Sequence, residues 1–235
     1  MTTLPYTLDA DDPKAAPLGL IVLQTDETIE PEFAKLFADN PAPRYVSRIA
    51  SAASVSTDSL AEMERLLPAA ADLLPKARPY KVLGYGCTSA SSVIGSERVE
   101  QMVQQTCDVV TVTNPLRAAI ACAKDQGVSK FALLSPYVEE VNEPLRAAFA
   151  KGGISTDVFG TFGEAEEAKV VRISTKSIVE AACTLGADSQ VDAVFLSCTN
   201  LRTLDAIDQI REKIVKPVLS SNQSLAWHMG RLNAT

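Results

Sequence analysis

Two segments constrain this chain more than anything else in it. Lys81-Val-Leu-Gly-Tyr-Gly-Cys87-Thr-Ser-Ala-Ser-Ser92 and Ala193-Val-Phe-Leu-Ser-Cys198-Thr-Asn-Leu-Arg202 each run from a short apolar stretch into a cysteine, then into small hydroxylated or amide residues. The apolar stretch reads as a buried strand and the polar cluster as the opening of a helix. Each segment therefore predicts a thiol at the carboxyl end of a strand. Open α/β sheets bind ligands at that edge, where helix N-terminal amides attract anions and favour thiolate over thiol. Two such thiols in one cleft suggest acid/base or nucleophilic chemistry.

Cys87 and Cys198 are 111 residues apart, and the same offset relates Leu20 to Phe131 in the preceding apolar runs and Asp26 to Tyr137 just beyond them. A duplicated half explains all three. Chance is the competing explanation, since any α/β chain repeats strands at some period. If the duplication holds, two halves face each other across a cleft, each contributing one cysteine and one helper. A homo-oligomer is compatible with this symmetry but is not required by it.

Along the chain, residues 1–17 read as an extended lead-in with Pro5, Pro13 and Pro17. Leu18–Leu23 is the first buried strand, followed by a helix with Pro31 in its first turn and Phe33, Leu36 and Phe37 on its apolar face. Tyr45–Ile49 reads as a strand, and Ser59 with Glu62 as a capping box for a helix that Pro68 interrupts. Strands follow at 81–85, 109–112, 131–134, 154–159, 193–196 and 216–220. Helices fall at 97–105, from Asn114-Pro115 to Gly127, at 139–151, 175–185 and 203–215, and around Trp227. This alternation predicts an α/β fold of two pseudo-symmetric, Rossmann-like domains with mainly parallel four-stranded sheets. The expected division is residues 1–114 with 216–235 in one domain and 115–215 in the other.

Composition excludes several chemistries. The net charge of −7 argues against nucleic acid as a partner. The N-terminus lacks the charged and apolar regions of a signal peptide and no run is long enough to span a bilayer, so a cytoplasmic protein with no membrane partner is expected. The five cysteines contain no Cys-x-x-Cys pair, which disfavours a disulfide framework or a zinc site. With His228 the only histidine, a Ser-His-Asp triad or a His-rich metal site is disfavoured. No glycine-rich phosphate loop is present.

Gly86-Cys87-Thr88-Ser89-Ala90-Ser91, Ser135-Pro-Tyr137 with Val141-Asn-Glu143, and Ser197-Cys198-Thr199-Asn200-Leu201 with Thr203-Leu-Asp-Ala-Ile207 are spread over nearly the whole chain. In this order they resemble the aspartate/glutamate racemase superfamily, and within it the maleate cis-trans isomerase and arylmalonate decarboxylase branch. The resemblance implies two four-stranded α/β domains, no cofactor, a small carboxylate substrate, and paired cysteines, here Cys87 and Cys198, flanking it. It implies that Thr88, Ser89 and Tyr137 hold a substrate carboxylate. A decarboxylase of this branch looks to carry glycine in place of the earlier cysteine, so keeping both favours racemase or isomerase chemistry over decarboxylation; a non-catalytic small-molecule binding protein of the same fold is a further alternative.

Two positions depart from the pattern. Maleate isomerases resemble this chain around Gln24–Thr28 but carry asparagine where Asp26 stands, and another asparagine where Glu167 stands. Amides donate hydrogen bonds to a carboxylate; ionised carboxylates cannot. A maleate dianion would meet repulsion here, which points to a substrate with an ammonium or amide donor, such as an amino acid or N-acyl amino acid. The stretch Leu20–Ile29 also looks like the ectoine-utilisation A proteins of this branch, whose pathway handles N-acetylated diamino acids.

In a racemase one thiolate removes the α-proton and the opposing thiol returns one to the other face. In a cis-trans isomerase one cysteine adds to the alkene, and elimination follows rotation. Backbone amides after each cysteine, with the hydroxyls of Thr88, Ser89 and Thr199, are positioned to stabilise an enolate; Asn200 lies in the same cluster. Simpler readings stand beside these. Asp26 and Thr28 also fit a helix cap, Tyr137 a core tyrosine, and Glu167 the solvated end of an acidic run. Cys107, Cys122 and Cys183 read as inert core residues, and Trp227 and His228 as structural.

Overall fold

The computed structural model of the protein describes residues 1–10 and 16–234. Residues 11–15 of the expected lead-in, Pro13 among them, lie outside the described residues. The first half comprises β1 (Leu18–Leu23), α1 (Ile29–Leu36), β2 (Arg44–Ile49), α2 (Thr57–Asp72), β3 (Tyr80–Gly86), α3 (Thr88–Ile94), α4 (Ser96–Gln104) and β4 (Val109–Thr113). The second comprises α5 (Pro115–Asp125), β5 (Lys130–Tyr137), α6 (Glu139–Lys151), β6 (Ser155–Glu164), α7 (Glu167–Val170), α8 (Thr175–Gly186), β7 (Ala193–Leu196), α9 (Leu204–Ile214), β8 (Val218–Ser220) and α10 (Ser221–Ala234).

The strands form two four-stranded parallel sheets, ordered β2-β1-β3-β4 and β6-β5-β7-β8. The shared order is what the 111-residue repeat predicts. In each sheet the chain first steps outward, to β2 or β6, then returns to the other side, at β3 or β7. The crevice at such a reversal opens at the strands' carboxyl ends. Asp26 follows β1 and Cys87 follows β3; Tyr137 closes β5 and Cys198 follows β7. All four candidate residues thus lie at the two reversal points.

Parallel strands covered by helices on both faces must be apolar on both, and β1 and β7 are buried at every position. Phe131 and Phe195 of the second sheet stack on each other and meet Phe149 of α6 edge-on, at centroid separations of 5.3–5.6 Å. The largest core cluster runs across both halves and includes Cys87, Tyr137 and Cys198.

Several boundaries differ from the sequence reading. The capping box of α2 is Ser56 with Ser59, one turn earlier than Ser59 with Glu62. Pro68 does not end that helix: it forfeits one backbone bond, but Leu67, Ala70 and Ala71 are buried beside it and the Thr106 hydroxyl donates to its carbonyl at 2.7 Å. β5 continues through Pro136 to Tyr137 because the register with β6 shifts between Ser135 and Tyr137, where the proline has no N–H to give. β8 pairs with β7, Val194 opposite Val218, so these residues complete the second sheet instead of joining the first domain. The return falls at Ser221, where α10 begins; it buries Leu225 and Met229 against Leu20 and Val82.

Candidate active site

In the first half, β1 runs into a turn in which Asp26 Oδ1 accepts from the amides of Thr28 and Ile29, both at 2.8 Å. Asp26 thereby caps α1, whose own N-cap Thr28 makes no side-chain cap bond. Thr28 uses its hydroxyl across the cleft, donating to the Asn200 carbonyl at 2.8 Å. Asp26 is 2% exposed, and its Oδ2 has no hydrogen-bond partner. Burial raises its pKa; the amides of Ile29 and Thr28, the nearby Thr199 hydroxyl and the Arg48 charge offset this only in part.

Cys87 follows β3 in extended backbone (φ −147°) and is the N-cap of α3, its sulfur accepting from the Ala90 amide at 3.3 Å. Gly86 before it is a close approach: a Cβ there would lie 2.7 Å from Ile29 Cδ1 and 3.3 Å from the Ile21 carbonyl. After Cys198 no helix opens at once. Five residues separate it from α9, and Cys198 itself has φ 96°, a left-handed conformation that costs a residue with a Cβ about 1–3 kcal/mol. Its amide donates to Ser221 Oγ at 3.1 Å, and its sulfur accepts from the Asn200 amide at 3.3 Å.

The two turns are joined. Ser221 Oγ also lies 2.8 Å from Thr88 Oγ1, and Thr199 Oγ1 donates to the Gly86 carbonyl at 3.2 Å. Ser89 is buried beside them, its amide supporting Cys87. Tyr137 donates to Glu167 Oε1 at 2.6 Å and lies 3.0 Å from Cys198 Sγ. Asn200 Nδ2 donates to Glu167 Oε2 at 2.7 Å, and its Oδ1 accepts from the Glu27 amide at 3.0 Å. Glu167 is 3% exposed, so the end of the acidic run is not a solvated face. Its backbone explains why: the Glu167 amide donates to the Ala53 carbonyl at 3.0 Å and the Val55 amide to the Ala165 carbonyl at 2.8 Å, pairing loops of the two halves across the cleft.

The electrostatics reverse one expectation. Thiolate is not favoured: burial first, then the Glu167 and Asp26 charges, push the Cys87 thiol up to about 12 against the amides of Ala90 and Ser89. Cys198 is raised well above the ordinary range, by burial and then by the Glu167 charge, although the Tyr137 hydroxyl and Asn200 amide oppose it. Burial likewise raises Glu167, opposed by Tyr137 and Asn200. α3 is a single short helix and α9 starts too far along, so desolvation outweighs any helix-terminus effect. The same two carboxyls act on both thiols, which puts all four groups in one buried cluster.

Sequence reading missed three residues here. Tyr85, fully buried, lies beside Cys87, whose charge adds to burial in raising the phenol. Ser221 and Asn222 tie the Cys198 turn from α10. The signal for this pair is the hydroxyl-asparagine dipeptide at the end of each sheet's last strand, Thr113-Asn114 closing β4 in one half and Ser221-Asn222 just after β8 in the other.

Comparison with known proteins bears on the family of the chain. The maleate isomerase of Alcaligenes faecalis is 24% identical over 218 residues, 87% of this chain and 85% of its own. The arylmalonate decarboxylase of Bordetella bronchiseptica is 31% identical over 122 residues, 52% of this chain, and the match spans 48% of that protein's length. The Nocardia farcinica maleate cis-trans isomerase bound to TRIS superposes with a TM-score of 0.80 at 24% identity, covering 92% of each chain. The family model described as Amdase, arylmalonate decarboxylase, matches residues 18–235, and the chain belongs to that family, in the maleate isomerase and arylmalonate decarboxylase branch of the aspartate/glutamate racemase superfamily.

Proposed function

We propose that this protein is a cofactor-independent isomerase, a racemase that moves the α-proton of a small nitrogen-bearing carboxylate between Cys87 and Cys198. The observation that carries the reading is the pair of buried carboxyl groups, Asp26 and Glu167, acting on both thiols, with Asp26 Oδ2 unpartnered. An ammonium or amide N–H of the substrate completes that oxygen; a second carboxylate would meet like charge.

One thiol, deprotonated, takes the α-proton from one face and the opposing thiol delivers its own to the other, so the proton count is unchanged and roles reverse for the other enantiomer. Both thiols are protonated at rest, so substrate must help to create the base. A bound cation neutralises the carboxyl charges that hold the thiols up, and Glu167, through Tyr137, draws on the Cys198 proton. Amides of Ser89, Ala90 and Asn200 face the sulfurs, and the Thr88, Ser89 and Thr199 side chains lie where a substrate carboxylate and its enolate form would be held. Amino acids and N-acyl amino acids, of the diamino-acid kind suggested by Leu20–Ile29, are the substrate class.

Cis-trans isomerisation by cysteine addition is the second reading, favoured by the likeness to the Alcaligenes faecalis maleate isomerase over most of the chain. The two separate in deuterium oxide. Racemisation places deuterium at Cα of an amino or N-acyl amino acid, and the exchange disappears in Cys87→Ala and Cys198→Ala. Exchange that survives in both variants ends the racemase reading.

A further inference from the structure

Among the described residues, Cys198 and Val215 are the two non-glycine positions with left-handed backbone, φ 96° and 54°. Val215 follows the last turn of a helix, where that conformation is common. Cys198 has no such excuse, and a strained residue persists only where its surroundings over-determine it.

The restraint comes from the other half of the molecule. Thr203, the N-cap of α9, makes no side-chain cap bond and its hydroxyl has no partner. Glu32, on α1, takes that place: its Oε1 accepts from the Thr203 amide at 3.0 Å and the Leu204 amide at 2.9 Å. Its Oε2 accepts from Asn222 Nδ2 at 2.8 Å, and the other hydrogen of that amide goes to the Thr199 carbonyl, also at 2.8 Å. Neighbouring Ser221 holds the Cys198 amide. Glu32 is 7% exposed, and its bonds reach both ends of the turn that carries the thiol.

We propose that Glu32 is a positioning residue for Cys198: through the Thr203 and Leu204 amides and the Asn222 side chain, its carboxylate fixes the strained turn that aims the sulfur at Tyr137. Cys87 is built without it, on extended backbone at the start of α3, so the effect is one-sided. The inference rests on Cys198 being a reacting group. Its test reads the thiol directly, so an error in the assigned substrate leaves it standing, and it can fail while racemisation is upheld.

Glu32→Gln keeps the shape but brings an amide N–H against another donor, at Asn222 or at the α9 amides. Asn222→Ala cuts the link to Thr199 by a separate route and carries the test if Glu32→Gln does not fold. Iodoacetamide labelling of the full chain across pH, with each cysteine followed by peptide mass spectrometry, gives the two thiols separate profiles. The expected result is that Cys198 alkylates roughly fivefold faster or more and its profile moves toward the ordinary thiol range, because the loosened turn admits water, while Cys87 stays within about twofold. No change at Cys198 in a folded variant, or equal changes at both cysteines, overturns the proposal.

Discussion

Tyr137 donates its one hydroxyl proton to Glu167 Oε1 at 2.6 Å, with its oxygen 3.0 Å from Cys198 Sγ. With that proton directed to the carboxylate, the phenol oxygen accepts from the thiol at rest, and once a thiolate forms the same hydroxyl can turn to donate to it. Polarity in this chain runs from Cys198 through Tyr137 to Glu167.

Tyr137→Phe breaks the chain at its centre and leaves a buried carboxylate oxygen and a thiol unpaired. Groups stranded this way cost about 1–3 kcal/mol, and the same amount lost at the transition state corresponds to a roughly 5- to 160-fold fall in turnover. We expect the fall in kcat for α-proton exchange, followed by proton NMR in deuterium oxide, with KM changing less.

Asp26 illustrates a conflict between stability and function. Its pKa is raised by burial, so the native state holds the proton more tightly than the unfolded chain does. That preference stabilises the fold below the unfolded carboxyl pKa and is lost as pH rises through the higher native value. Asp26→Asn, which never charges and keeps an acceptor for the Thr28 and Ile29 amides, is expected to melt above the parent at pH 7–8. The gap should narrow as pH falls and the parent's carboxyl is protonated. Thermal melts at several pH values check the sign.

Exchanging both carboxyls for amides tests selectivity. Asp26→Asn with Glu167→Asn replaces groups that repel an anion by groups that donate to one. The double variant is expected to gain binding of a dicarboxylate such as maleate and to lose the nitrogen-bearing substrate, measured by calorimetric titration of both ligands.

The elements legible in the sequence are those whose pattern is local. Parallel buried strands announce themselves as apolar runs, and the 111-residue offset carried the matching strand orders of the two sheets. The positions of Cys87 and Cys198 followed from the same runs. Interactions across the cleft were not legible. Glu167 sits at the end of an acidic stretch whose composition points to solvent, and a long-range backbone bond to Ala53 turns it inward. Glu32 is one of two acidic residues in the first turn of α1, and nothing local to it marks that α9, far along the chain, lacks a cap of its own. The thiol pKa direction was missed for a related reason: local helix starts suggest thiolate, whereas burial by both halves together decides for the thiol.

Gly86→Ala probes how tightly the two reversal-point strands approach α1. Ile29 is fully buried at the start of that helix, so its terminal Cδ1, 2.7 Å from a new methyl group, has to shift within packed surroundings, with the Ile21 carbonyl 3.3 Å away as well. Overpacking of this kind costs about 1–3 kcal/mol. Urea unfolding should show that loss, and activity should fall with it, since the turn carrying Asp26 leads directly into Ile29.

The thiols themselves give the most direct prediction. With Cys87 pushed up to about 12, the thiolate is a minor species throughout the neutral and mildly alkaline range. Alkylation of Cys87 in the free protein should therefore climb about tenfold per pH unit through pH 10 without levelling off. Saturation with an ammonium-bearing, non-reacting amino acid analogue neutralises the Asp26 and Glu167 charges that contribute to the shift, and should move the profile to lower pH wherever the thiol remains reachable. A dicarboxylate analogue adds negative charge and should move it the opposite way. A plateau near pH 9 in the free protein, the behaviour of an ordinary thiol, would mean that the cleft is wetter and less enclosed than the 4% exposure of Cys87 implies.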